Sequence, residues 1–164
     1  MKKLLKLSVL VLIALFLFAG CDWLFGPSKE DVAAAFAALS RGITAANTGT
    51  PTISGNTMTF PGTGGASLAM TLIMDASFNL LDGSKMDVTF SNWNDTTSGY
   101  TINGSFTITL TGTQTAMVQN CTGSITLSGG TITTLAMNYS ANTATQAVTG
   151  TITANGHDFN VADL

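Results

Sequence analysis

The chain has 164 residues, a formal net charge of −3 and only 9% charged residues. Beyond residue 20 it keeps three cations, Lys29, Arg41 and Lys85, against nine carboxylates, so residues 21–164 carry a formal charge of about −6. Nucleic acid and electrostatic docking on anionic lipid are excluded as partners, because both require clustered Lys and Arg.

The first 20 residues have the organisation of an export signal. Three lysines stand among the first six residues, and an almost wholly apolar run follows over residues 7–18. A basic start followed by an apolar region of about 7–15 residues is typical of a secretory signal peptide. A membrane-spanning helix needs about 20 apolar residues. We therefore predict a cleaved signal over residues 1–20.

Two small residues and a cysteine close this run, in the order Phe18-Ala19-Gly20-Cys21. The stretch resembles the lipobox of bacterial lipoproteins, whose pattern is an aliphatic residue, two small residues and a cysteine. The resemblance implies cleavage between Gly20 and Cys21 and acylation of Cys21 with palmitate-type chains. The protein would then be held in the lipid bilayer of an inner or outer envelope membrane. The alternative is an ordinary signal peptide that leaves Cys21 as a free thiol.

Residues 21–27 form a very short tether between the predicted anchor and the domain. Trp23 and Phe25 lie within it, and amphipathic aromatic rings are favoured at a membrane interface. The alternative is that both rings pack under the domain. In either arrangement, we expect one domain over residues 28–164 to lie close to the membrane.

The domain begins with a predicted helix over residues 28–47. Ser28 and Asp31 have the spacing of a capping box, and Glu30 and Asp31 suit the positive end of the helix dipole. Apolar residues recur at helical spacing and predict one buried stripe, formed by Val32, Ala35, Phe36, Leu39 and Ile43.

From residue 48 onward the periodicity is that of strands. Alternation is strictest from Tyr100 to Thr111, where apolar residues and glycine alternate with Thr, Ser and Asn. Such a pattern indicates antiparallel strands with one buried and one wet face. Asp82-Gly83 and Asn155-Gly156 are tight-turn signals, whereas residues 48–55 and 61–65 are rich in turn residues. Ile132 is out of phase with the next strand, which predicts a bulge or strand start near Thr133.

Three short segments have similar sequences: Gly104-Ser105-Phe106-Thr107, Gly123-Ser124-Ile125-Thr126 and Gly150-Thr151-Ile152-Thr153. Their unequal spacing argues against a solenoid. Glycine on an inner face removes bulk and permits bending. We predict an α+β fold, mainly β: an N-terminal helix, then an antiparallel up-and-down meander of about eight strands that forms a curved sheet or partial barrel.

Catalytic and metal-binding residues are few. His157 is the single histidine, and its neighbour Asp158 points to the opposite strand face, which argues against a catalytic triad. A zinc site needs more His and Cys than the chain has. Oxygen ligands suited to calcium occur without the spacing of a calcium-binding loop, at Asp82, Asp87, Asn92, Asn94 and Asp95. We expect no enzymatic activity, no metal and no cofactor.

Three further residues are candidates for a functional role. Trp93 and Tyr100 flank a polar loop, where an exposed aromatic pair would contact carbohydrate or protein; the alternative is that they pack over the sheet edge. Cys121 is a lone thiol if Cys21 is lipidated, and it is either a small buried residue or a site of intermolecular pairing.

These features predict a lipid-anchored envelope protein with a non-catalytic structural or protein-interaction role. The alternative is a carrier that holds a lipid or another apolar ligand in its curved sheet. Several of the seven methionines fall on predicted inner faces, where they would line an adaptable pocket.

Overall fold

The computed structural model describes residues 27–73, 82–113 and 116–164. The predicted helix is confirmed as α1, Lys29–Ala46. Its capping box is complete, since the Asp31 amide donates to the Ser28 hydroxyl and the Ser28 amide donates to the Asp31 carboxylate. No helix within the described ranges is long and apolar enough to cross a bilayer.

Nine antiparallel strands follow, and each pairs with the next along the chain. The predicted meander is therefore confirmed, with nine strands where about eight were expected, in one sheet that is not closed. The additional strand lies in the segment 48–55, where turn residues obscured it. The strands are β1 Thr52–Ser54, β2 Thr57–Phe60, β3 Ala66–Thr71, β4 Lys85–Asn94, β5 Thr101–Thr113, β6 Ala116–Ser128, β7 Thr134–Asn142, β8 Val148–Ala154 and β9 His157–Asn160; a 3-10 helix, Val161–Asp163, follows them.

The sheet has an apolar inner face and a polar outer face. α1 packs on the inner face with the stripe that the sequence predicted, and Val32, Ala35 and Leu39 are at most 2% exposed. Side chains that alternate inward along the strands complete one core, chiefly Val88, Phe90, Ile102, Phe106, Ile108, Ile125, Leu127, Leu135, Met137 and Ile152. Burial of these two apolar surfaces against each other is the main stabilising contribution to the fold.

Glycines on the inner face stand directly opposite aromatic residues. Gly104 pairs with Phe90, Gly123 with Phe106, and Gly150 with Tyr139. All three glycines have positive φ, between 112° and 146°. A Cβ at Gly123 would lie 2.5 Å from the Phe106 Cα. The similar segments in the sequence therefore mark places where a glycine stands opposite an aromatic residue and neighbouring backbones approach closely.

A bulge in β4 changes which residues face the core. The register with β5 shifts between Phe90 and Trp93, and Asn92 has a φ of 52°. The Asn92 amide donates to the Asn103 side chain at 2.7 Å. Phe90 and Trp93, three residues apart, would face opposite sides of a regular strand, but the extra residue turns both rings to the inner face.

Candidate functional site

The predicted lipidation and cleavage residues, Cys21 and Gly20, lie outside the described residues. The structure describes the chain from Pro27, the last residue of the predicted tether. The amine of Lys29 donates to the Asp163 carbonyl at 2.6 Å, so the start of α1 lies beside the C-terminal 3-10 helix. The described chain therefore begins at the side of the sheet that carries β9.

The structure places the rings of Trp93 and Tyr100 inside the domain and not on the surface of the polar loop. Trp93 is 8% exposed and Tyr100 is 4% exposed. The Trp93 ring packs against Phe90, with 6.0 Å between the ring centroids. The Tyr100 hydroxyl accepts a hydrogen bond from the Ile132 amide at 3.3 Å. Both rings therefore pack into the fold, because the β4 bulge and the loop before β5 direct them inward.

The oxygen-rich residues that suggested calcium are engaged in separate hydrogen bonds. Asp82 accepts from the Gly112 amide at 2.9 Å, and Asp87 accepts from the Thr107 hydroxyl at 2.7 Å. Within residues 27–73, 82–113 and 116–164, no three His, Cys, Asp or Glu side chains are grouped so that they could hold a metal ion.

Asp95 belongs instead to an ion pair that fastens the β4–β5 loop to α1. Arg41 donates to both carboxylate oxygens, from Nε at 2.9 Å and from Nη2 at 2.6 Å. Ser98 donates to the same carboxylate from its amide and its hydroxyl. These bonds, chiefly those from Arg41, lower the pKa of Asp95 from 3.8 to about 2. The sequence offered no signal for this pair, because its members are separated by 54 positions.

Cys121 is buried on the inner face beside Tyr139. Its exposed fraction is 2%, and its cross-strand neighbours are Ile108 and Tyr139. Burial raises the pKa of the Cys121 thiol to about 11 and also raises the pKa of Tyr139. A thiol is reactive as the thiolate, so Cys121 is poorly placed for disulfide exchange.

His157 stands at the start of β9, opposite Ala154, and is exposed. Asp158 alternates to the other face of the strand and accepts a hydrogen bond from the Thr153 hydroxyl at 2.6 Å. The two neighbours in sequence are therefore not oriented as a base and its orienting acid.

The outer face of the sheet is polar across its full width. One row crosses all nine strands in the order Thr52, Thr59, Ala69, Asp87, Thr107, Thr122, Asn138, Thr151 and Asn160. Side chains bond to one another across the strands: Asn120 donates to the Thr111 hydroxyl at 3.0 Å and accepts from Ser140 at 2.7 Å. The Asp87 charge is paired with Lys85 at 2.8 Å. This face offers hydroxyl and amide groups for contacts but little charge.

The inner face offers little space. A cleft between α1 and the sheet has a cavity volume of about 10 Å³, roughly the room that one water molecule needs. Apolar side chains dominate its lining, which consists of Phe36, Leu39, Ser40, Ile43, Phe106, Met137 and Tyr139. α1 therefore leaves little room between itself and the sheet at this cleft.

Comparison with known proteins adds no relative: no family model, no curated protein and no solved structure matches the chain.

Proposed function

We propose that the protein is a lipid-anchored lipoprotein of the bacterial cell envelope, with a non-catalytic role that is structural or consists of contacts with another protein. The observation that supports this role best is the division of the sheet into an inner face filled by α1 and an extended, nearly uncharged outer face. Hydroxyl and amide groups on a pleated surface supply hydrogen bonds to a partner, whereas a filled interior leaves little room for a substrate.

The anchor is tested by metabolic labelling with palmitate. The wild-type chain should incorporate label and remain with the membrane fraction, while Cys21→Ser should lose both properties. Cys121→Ser is the matched control, because it also removes a thiol but should leave labelling unchanged. A wild-type chain that is unlabelled and freely soluble would refute the lipoprotein assignment.

The protein-contact role is tested on the outer face. Thr122 is exposed at its centre, so Thr122→Glu should sharply reduce the capture of crosslinked envelope proteins. The matched control is Ala33→Glu, which places the same charge on the exposed side of α1 and should leave capture unchanged. The absence of any reproducible partner of the wild-type chain, or equal capture by the two variants, would count against this role.

The second function, a carrier of an apolar ligand, has less support. The curved sheet and the partly buried Met70 and Met86 favour it, but the cleft beneath α1 holds little more than a water molecule. Native mass spectrometry of the purified protein is the test. Detection of a co-purified lipid at stoichiometric amounts would favour the carrier.

A further inference from the structure

The two edges of the open sheet differ in how they are protected. β9 carries the charged Asp158 and continues at once into the 3-10 helix, which Lys29 holds against α1. β1 has no charged residue, and all three of its side chains are exposed, including Ile53 at 66%. Natural sheets usually protect their edges with charge, bulges or covering elements, because a free edge pairs with another strand. Among the described residues, β1 is protected only by its shortness and by the preceding Pro51.

The register of the β1–β2 hairpin directs the backbone groups of Ile53 away from β2. The β1–β2 hairpin turns at Gly55 and Asn56, so the flanking pair Ser54 and Thr57 bond to each other. Hydrogen-bonding directions alternate along an antiparallel strand. The amide and carbonyl of Thr52 and Ser54 therefore point toward β2, whereas those of Ile53 point outward.

We propose that β1 is a pairing edge through which two copies of this chain associate as antiparallel strands. A twofold axis at Ile53 satisfies its free amide and carbonyl with those of Ile53 in the second copy. The same register sets Thr52 of one copy opposite Ser54 of the other. The two isoleucine side chains then cover each other on the apolar face, while hydroxyl groups meet on the polar face. No charges of like sign face each other.

The position of β1 suits association within a membrane. The chain enters the domain beside the β9 end, and eight strand spacings separate β9 from β1, about 38 Å along the sheet. β1 therefore lies at the opposite edge of the sheet from the start of α1. The pairing offers few hydrogen bonds, so it needs the raised effective concentration of two copies confined to one membrane. This step depends on the lipid anchor proposed above.

Cysteine scanning of the full chain in its native membranes tests the register. In this register the Cα atoms of the hydrogen-bonded Ile53 pair are about 5.5 Å apart and those of Thr52 and Ser54 are about 4.5 Å apart, and both distances suit a disulfide. After mild oxidation, Ile53→Cys should form dimers at least tenfold more than Thr52→Cys or Ser54→Cys alone. Co-expression of Thr52→Cys with Ser54→Cys should restore the dimer. Equal crosslinking at all three positions, or none at Ile53→Cys, would overturn the proposal.

Oxidation of the wild-type chain distinguishes failure of the pairing edge from failure of the lipid anchor. Cys121 is buried, and a lipidated Cys21 cannot form a disulfide, so oxidised wild-type membranes should contain no disulfide dimer. A wild-type dimer that disappears in Cys21→Ser would reveal a free Cys21 and refute the anchor. Failure of Ile53→Cys to crosslink in a palmitate-labelled, membrane-bound chain would refute the pairing edge alone.

Discussion

The central hairpin β5–β6 and the edge hairpin β1–β2 use the same alternation of apolar and polar residues with very different results. β5 and β6 have 13 residues each, and their inward side chains Ile102, Ile108 and Ile125 are at most 4% exposed. β1 has three residues, and its inward Ile53 is 66% exposed. The difference lies in what covers each strand. β5 and β6 have a neighbouring strand on both sides and α1 above them, whereas β1, among the described strands, pairs only with β2. An alternating pattern therefore specifies which face of a strand is apolar. The elements that cover this face decide how much its burial stabilises the fold.

The largest expected effect comes from the close backbone approach at the centre. Gly123→Ala should lower the free energy of unfolding by about 3–5 kcal/mol, because the new Cβ meets the Phe106 backbone at a positive φ. Gly156→Ala is the matched control. Its φ is also positive, but nothing lies within 4 Å of the added Cβ, so it should cost about 1 kcal/mol. Urea denaturation measures both, and equal losses would show that close approach does not constrain Gly123.

A second comparison tests burial directly by shortening isoleucine in each region. Ile102→Ala should cost about 3 kcal/mol, because it leaves a cavity in the closed core. Ile53→Ala should change the free energy of unfolding of the monomer by at most about 0.5 kcal/mol. Denaturation of both variants at low protein concentration gives the two values. A loss at Ile53 as large as that at Ile102 would mean that the edge is covered by something the structure does not show.

The third and smallest effect concerns the β4–β5 loop, which the Arg41–Asp95 ion pair links to α1. Asp95→Asn should cost about 2 kcal/mol near neutral pH, since the Asp95 carboxylate accepts charge-assisted bonds from Arg41. The folded-state pKa of Asp95 lies below its ordinary value, so its contribution is complete above about pH 4 and is lost as the pH falls toward 2. Unfolding measured from pH 6 to pH 2 should show the wild-type advantage over Asp95→Asn shrinking in that window. A constant difference would contradict the assignment.

Local patterns were sufficient for much of this fold. The capping residues Ser28 and Asp31 mark where α1 begins, and the strict alternation after Tyr100 marks β5. Ile132 was predicted to precede a strand start near Thr133, and β7 begins at Thr134. These features depend on neighbours in sequence, so the sequence displays them directly.

The candidate site was less accessible to sequence reasoning. The sequence left open whether Trp93 is exposed or packed, because alternation continued from Phe90 cannot reveal a bulge that depends on pairing with Asn103. Asp95 was considered as a calcium ligand, although its partner is Arg41 on α1. Both outcomes depend on contacts between elements far apart in the chain.

The sequence by itself determined the helix, the sheet and the identity of its apolar and polar faces, because periodicity and turn residues act within a few positions. It also carries the lipobox-like stretch that predicts an anchor. Tertiary structure alone decided that α1 fills the inner face, that a glycine lies opposite each of three aromatic residues, and that β1 remains an open edge. Those properties arise from which surfaces meet, and packing partners are distant in the chain.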